Sequence, residues 1–466
     1  MVIKIVLYFL LKVRIMEKIF NHIDQHIEET IETLFKMVSQ PSVSAQNYGF
    51  DKAPNLIKNI LSDYGLNSQL LNTPNNGNPS IFGEFKSNSN KTLMFYTHYD
   101  VMPAEPLELW ESDPFKPEKR GNRLYGRGMS DDKGNIAARL AAIKAFLDIE
   151  NKLPTNLKFF IEGEEEIGSR NLLGLIETYK PILKADACIW EGGGVNMSGS
   201  PLIYLGLKGG LTIKMSVNKL SVDAHSSYSP ILPSSIDRLT KAMNSMKNDL
   251  GQIIIEGFHD AIIDLNKEQR EAINSLPDDT KEWEDKFGVK LLGNDLESID
   301  DLNIKLYSEP TANVNSIQSG YNGPGMKSVV PAYAECKMDF RLVPNQNPAE
   351  IYEYIKKHLI KKGFSDIEIE PLHQIFPFRT DMNSDLLDLV KTSAFEIYNK
   401  KPLVTPNMAG SGPMYEFGGL LKMPICSAGV DHPTHNMHAP NENITIDDLS
   451  LGAKHIALIM KRFSEI

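Results

Sequence analysis

Four short apolar runs, at residues 93–96, 157–161, 187–190 and 423–428, each give way within a few residues to acidic and histidine side chains. Between them lie stretches with helical spacing: Ile136, Leu140, Ile143 and Leu147 recur on one face, and 171–179 has a similar pattern. Strand–helix alternation of this kind specifies an α/β unit, a mainly parallel sheet with helices on both faces. From about 207 the texture changes. Residues 211–220 and 334–342 alternate strictly, with Ala334, Cys336, Met338, Phe340 and Leu342 on one side, as half-buried strands do. Helical stretches at 233–249 and 348–362, and a further strand at 366–370, make this an inserted α+β layer. Residues 251–308, acidic and rich in helix formers, elaborate that insert. The α/β texture returns after about 376 and ends in a helix at 446–463. A chain of 466 residues calls for two domains or three. The expected division is one unit made of 16–206 and 377–466, interrupted by 207–376.

Residues 1–15 stand apart. Their apolar run is broken by Lys4, Lys12 and Arg14, is too short to span a bilayer, and precedes no small-residue cleavage site. The second methionine, Met16, opens an amphipathic stripe of Ile19, Ile23, Ile27, Ile31 and Phe35. The first fifteen residues are therefore read as an N-terminal extension or upstream start, the rival reading being a weak membrane anchor. Cys188, Cys336 and Cys426 are far apart, in apolar runs and without a CxxC, which excludes a structural zinc knot and places the chain in a reducing compartment, the cytoplasm. A net charge of −11 argues against a nucleic-acid surface, and no membrane partner is expected.

The polar residues that follow the strands are Thr97-His98-Tyr99-Asp100, Glu162-Gly163-Glu164-Glu165-Glu166, Glu191, and Asp431 with His432, His435 and His438. Gly128 to Gly134, holding Ser130, Asp131 and Asp132, opens the 135–147 helix. Ligands of open α/β sheets collect beyond the carboxyl ends of the strands, where all of these sit. Singly each has a dull explanation: helix capping for Asp131 and Asp132, a solvated turn for 164–166, a loop acid for Glu191. Pro433 and Pro440 break any helix through the three histidines, so one or two of them reach a common site. Together they resist the dull explanation, because converging carboxylates repel unless cations neutralise them. Histidine nitrogen mixed with carboxylate oxygen, without thiolate, suits zinc, manganese or cobalt. The pattern points to a two-metal hydrolytic site, with a carboxylate bridging ions about 3.5–4 Å apart.

The segments THYDV, GRGMSDDKGN, EGEEEIGS, VDAHSS, GPGMKSVVPAYAECKMDFRLVP, GSGP and HAPNEN resemble, in order, those of the di-zinc metallopeptidase family of dipeptidases, aminoacylases and carboxypeptidase G. The resemblance covers about 90–465. It implies that Asp131 bridges two divalent ions, zinc first among the candidates, that His98 and Glu191 complete one shell, and that Glu166 and His438 complete the other. His438 is preferred over its neighbours because it precedes Pro440-Asn441-Glu442. Glu165 falls on the family's general base, which takes a proton from the bridging water; spacing alone does not separate it from Glu164. Asp100 would orient His98 through its second nitrogen, and the Asp131–Asp132 peptide is the candidate for a cis bond.

The insert resembles the family's lid, which also mediates homodimers. His225 falls on a histidine that reaches the partner's active site and polarises the scissile carbonyl. Arg341 and Ser411 lie on donors to the substrate carboxylate. Ser328 occupies a position where dipeptidases of the family carry Thr and deacylases Asn. Glu191 points towards deacylases and carboxypeptidases, whereas the long interval from His225 to Ser328 points towards the carnosinase-like dipeptidases. The expected activity is hydrolysis of dipeptides or short peptides with a free C-terminal carboxylate. An N-acyl-amino-acid deacylase or carboxypeptidase is the alternative, and a non-catalytic binding protein on the same fold the remote one.

Overall fold

The computed structural model describes residues 2–291 and 299–466, with side chains from 14 and, after the interruption, from 302. A six-stranded sheet carries the strands in the order Asn67–Leu71, Ser80–Phe85, Asn156–Glu162, Thr92–His98, Ala187–Trp190 and Ile425–Ser427. The last four run parallel. Ser80–Phe85 runs antiparallel to both of its neighbours. Side chains alternate between two apolar layers. Phe95, Phe159, Ile189 and Cys426 enter one, beneath the helices Lys133–Glu150 and Ile446–Phe463. Tyr96, Phe160, Cys188 and Trp190 enter the other, against Leu172, Leu175 and Ile176 of the helix Leu172–Leu183. Burial on both faces explains why these strands are continuous apolar runs. It also leaves only their carboxyl ends free to carry polar chemistry, and those ends share one edge, His98 standing beside Glu162 in register.

The second sheet has the order Thr311–Ser319, Tyr333–Leu342, Gly206–Asn218, Glu368–Ile375, and every pairing among these four is antiparallel. Leu211, Ile213, Met215 and Val217 pack with Ala334, Cys336, Met338, Phe340 and Leu342 under the helices Ser235–Asn244 and Pro348–Lys361. Among the described residues its other face lacks such a cover, and it holds the polar alternates, among them Arg341. Gly206–Asn218 also pairs at its start with Phe378–Arg379 and Met408–Ser411, so this strand joins the two halves of the fold.

Three expectations are revised. The N-terminal helix does not open at Met16: it runs Val2–Gln25, breaks at His26 and resumes as Ile27–Val38. At the break the His26 ring stacks on His22 at 3.9 Å and its Nδ1 lies 2.9 Å from the His22 carbonyl, so a side chain competes for the helix's own acceptor. The helix expected over 233–249 ends at Asn244, where Ser245 Oγ donates to the Ala242 carbonyl at 2.7 Å. The strand expected over 366–370 extends to Ile375. Met16, Ile19 and Ile23 are buried against the same core as the helix Ile27–Val38. All three cysteines are buried and free. Among the described residues no helix is long and apolar enough to cross a membrane.

Candidate metal centre and substrate cleft

His98, the last residue of Thr92–His98, is 1% exposed. Its Nε2 lies 2.9 Å from Asp131 Oδ1 and 3.7 Å from Glu191 Oε2. His438 Nε2 lies 2.9 Å from the other oxygen of Asp131 and 3.2 Å from Glu166 Oε2. One carboxylate thus presents an oxygen to each of two imidazoles that arrive from opposite ends of the chain. Ligand atoms fall into two groups, Asp131 with Glu166 and His438, and His98 with Asp132 and Glu191. Within the second group Asp132 is already engaged by the His98 backbone N–H at 3.3 Å and by Asn135 Nδ2 at 2.6 Å. Asp131 Oδ1 makes the closer approach to the His98 ring, which favours Asp131 over Asp132 as the shared group. The Asp131–Asp132 peptide bond is cis.

Glu442 holds the loop that presents Asp131, and the sequence reading gave it no role. Its buried carboxylate accepts the backbone N–H groups of Gly128, Ser130 and Asp131 at 2.8–2.9 Å and the Arg127 guanidinium at 2.7 Å. Its place in the Pro440-Asn441-Glu442 run was the only available signal. Arg139, on the buried face of its helix, donates to the carbonyls of Trp190 (2.9 Å) and Ala428 (3.3 Å), where two parallel strands end beside the site.

Asp100 faces the second ring nitrogen of His98, as expected, and has a further task. His98 Nδ1 lies 3.0 Å from its main-chain carbonyl and 3.5 Å from its carboxylate. The carboxylate chiefly accepts the backbone N–H groups of Glu165 (3.2 Å) and Glu166 (3.1 Å), and so sets the acidic loop against His98. That loop resolves the Glu164/Glu165 ambiguity in position. Glu164 turns away, accepting from Asn78 N–H at 3.0 Å and Asn171 Nδ2 at 2.8 Å. Glu165 stays among the charged groups: burial, opposed by His98 and reinforced by Glu166, Asp131 and Asp100, pushes its carboxyl up to about 8. Burial and the Asp131 charge likewise lift Glu166 to about 6. Against burial, hydrogen bonds from His438 and His98 hold Asp131 well below the usual carboxylate range. Asp131 and Glu166 in turn raise His438 to about 10.

The donor set suits two divalent cations. Glu191 Oε2 is buried with no hydrogen-bond partner, and burial, with Glu165 and the two aspartates adding to it, raises its carboxyl strongly. An orphaned carboxylate oxygen beside imidazole and other carboxylates is what an absent cation would satisfy, and the nitrogen–oxygen donors without thiolate fit zinc, manganese or cobalt.

On the second sheet, Arg341 Nη1 donates to Ser411 Oγ at 2.7 Å, and Ser411 donates its own proton to the Gly209 carbonyl at 2.9 Å. The next residue, Gly412, abuts the acidic loop: a Cβ there would lie 3.7 Å from Glu165 Oε1. Arg341 and Ser411 therefore stand near Glu165. His225 and Ser328 do not join this group within one chain. Both are exposed, on a small ladder pairing Ala224–His225 with Val329–Val330. His225 Nδ1 lies 2.9 Å from Ser227 Oγ, and Ser226 N–H donates to the Ser328 carbonyl at 3.0 Å.

Residues 94–462 match the family described as Peptidase family M20/M25/M40. An M20 family metallo-carboxypeptidase from Sulfolobus solfataricus superposes with a TM-score of 0.89 at 38% identity, covering 94% of this chain and 100% of that one. Human Beta-Ala-His dipeptidase is 29% identical over 367 residues, 74% of this chain and 71% of its own length. A Cys-Gly metallodipeptidase of Schizosaccharomyces pombe is 26% identical over 94% of this chain and 96% of its own.

Proposed function

The chain belongs to peptidase family M20/M25/M40, and on that premise we propose that it is a metal-dependent dipeptidase acting on dipeptides or short peptides with a free C-terminal carboxylate. The observation that carries this reading is Asp131 with an oxygen 2.9 Å from each of His98 and His438. His98 and Glu191 would hold one divalent ion, Glu166 and His438 the other, and Asp131 both, with zinc the first candidate and manganese or cobalt its rivals. When bound, such a pair supplies Lewis-acid polarisation of the scissile carbonyl and a water acidic near neutrality. Glu165 accepts a proton and passes it to the leaving amine, the base-then-acid task of a carboxyl held beside the metal centre by its loop. Arg341 binds the C-terminal carboxylate through its guanidinium fork. Ser411 supports that fork as an acceptor; in the conformation described its proton is engaged by Gly209.

We assign the metal centre to the unit 16–206 with 377–466, and the lid to 207–376. One hydrophobic cluster draws only on residues 16–205 and 386–463, and another only on 211–367, which supports the division. His225 would enter the cleft of a second copy and stabilise the developing oxyanion there, with Ser328 beside it, which requires a homodimer through the lid. A cytoplasmic setting accords with three free, buried thiols.

A carboxypeptidase or N-acyl-amino-acid deacylase is the second reading, favoured by Glu191 and by the metallo-carboxypeptidase relative. Chelator-stripped enzyme, assayed after adding back each metal on dipeptides, longer peptides and N-acyl amino acids, separates the two. Turnover highest on dipeptides supports the first reading; turnover confined to N-acyl amino acids or longer chains replaces it.

A further inference from the structure

The open face of the second sheet carries a row of side chains not yet given a task. Register places His373, Thr212, Asp339 and Asn313 side by side, with Ile375, Gly210, Arg341 and Thr311 in the neighbouring row. Asp339 Oδ2 lies 3.1 Å from Arg341 Nε, and Asp339 Oδ1 accepts from Thr212 Oγ1 at 3.3 Å. A guanidinium has five N–H donors. Asp339 engages one and Ser411 Oγ another, so three remain, enough for a single carboxylate. Gly210 leaves the floor beside Arg341 open: a Cβ there would meet nothing nearer than Ser411 Oγ at 3.7 Å. A substrate whose C-terminal carboxylate lies on Arg341 is thereby brought beside Asp339, which contacts the same guanidinium.

The other charges around this floor are largely committed. Lys208 Nζ donates to the carbonyls of Leu306 and Glu309, each at 2.7 Å. Lys214 pairs with Glu370 at 2.7 Å. His373 packs its ring against Gly168 of the acidic loop, and burial followed by Arg170 lowers its basicity, which leaves it neutral near pH 7. Arg170, exposed on the acidic-loop side with its Nε donating to the Ile167 carbonyl at 3.2 Å, Lys337, exposed two residues before Asp339 on the same strand face, and Lys208, whose carbonyl partners leave its charge in place, are rival cations among the described residues.

We propose that Asp339 is both the positioning residue for Arg341 and the determinant of charge specificity at the C-terminal residue: it locks the fork for one α-carboxylate and disfavours a second, so the cleft takes dipeptides ending in neutral or basic residues and discriminates against those ending in Asp or Glu. The inference rests on reading Arg341 as the carboxylate binder of the proposed dipeptidase.

The test uses the full-length metal-loaded protein and its Asp339→Asn variant, which keeps shape while removing charge. Dipeptides sharing an N-terminal alanine and ending in Ala, Lys or Asp are assayed, and binding of N-acetylalanine and N-acetylaspartate is measured by calorimetry without turnover. Wild type should favour the Ala and Lys substrates over the Asp substrate by about tenfold in kcat/KM, mostly through KM, since like charges placed side by side are the standard device for rejecting a ligand. Asp339→Asn should shrink that ratio at least several-fold, raise KM for the Ala substrate, and leave kcat little changed. A wild type indifferent to the second carboxylate or preferring it, as capture by Arg170 would produce, overturns the inference. So does a ratio unchanged in Asp339→Asn. Absence of dipeptide turnover with the N-acetyl discrimination intact sinks the dipeptidase reading and leaves the role of Asp339 standing.

Discussion

Glu164 and Glu165 are adjacent and chemically alike, yet one is tied to two asparagines and the other is left among carboxylates and imidazole. Glu165→Gln should keep metal binding, read by elemental analysis, and lose on the order of 10²–10⁴ in turnover. Glu164→Gln should retain most activity and lose some stability. Wild-type turnover in the first would remove Glu165 from the mechanism. Glu442 is the opposite kind of acid, one that works through others. Glu442→Gln turns an acceptor of four donors into a partial donor, and should weaken metal affinity by about 10–100-fold through the misplaced Asp131 loop. A residue-scale pH effect lies elsewhere, at His455. Burial, opposed by its contact with the Val390 carbonyl, lowers this imidazole to about 4. The folded state therefore favours the neutral ring, and its contribution is present above the unfolded value near 6.5 and is lost as pH falls from there towards 4. His455→Phe should flatten the decline in unfolding free energy across that window; an unchanged slope would assign the acid sensitivity to other groups.

At the scale of elements, the parts legible in the sequence were those whose burial is regular. Strand Tyr333–Leu342 alternates because one face lies on the helices Ser235–Asn244 and Pro348–Lys361, and Ala187–Trp190 is continuously apolar because both faces are covered. The strand Thr311–Ser319 went unread for the converse reason. It lies at a sheet edge with Ala312 as its only buried side chain, so TANVNSIQS carries no apolar period. The candidate metal-ligand residues were legible as types at strand ends, but Glu442 was not, since the N–H groups it accepts lie about three hundred positions away in sequence. Nor was the second task of Asp100, whose carboxylate also serves backbone groups that no side-chain pattern displays. The junction of the Asp131 loop with the helix Lys133–Glu150 permits no side chain at Gly134, where a Cβ would lie 2.3 Å from the Met129 carbonyl. Gly134→Ala must move that loop, although alanine is otherwise the better helix former. It should cost metal binding and at least ~1 kcal/mol of stability by denaturant titration; a variant with native metal affinity would show that the loop is not fixed from this end.

The whole molecule brings candidate ligands from residues 98–191 and from 438 to one edge of a parallel sheet, and sets near it a sheet whose open face carries Arg341 and Asp339. Among the described residues His225 contacts Ser227 and Val329 and no member of this centre, which is why two copies are invoked. Chains carrying His225→Ala and Glu165→Gln, each inactive alone, should recover about a quarter of wild-type activity when mixed, because half of the dimers then hold one intact cleft. No recovery, with heterodimers demonstrated, would confine catalysis to a single chain. Both expectations depend on the centre itself, and metal stoichiometry tests that most directly. Stripped protein titrated with zinc and analysed for bound ion should take up two per chain in the wild type and lose both in Asp131→Ala, since that carboxylate alone faces both histidines. Saturation at one ion per chain, or an Asp131→Ala variant that still holds two, would contradict the bridged two-metal centre.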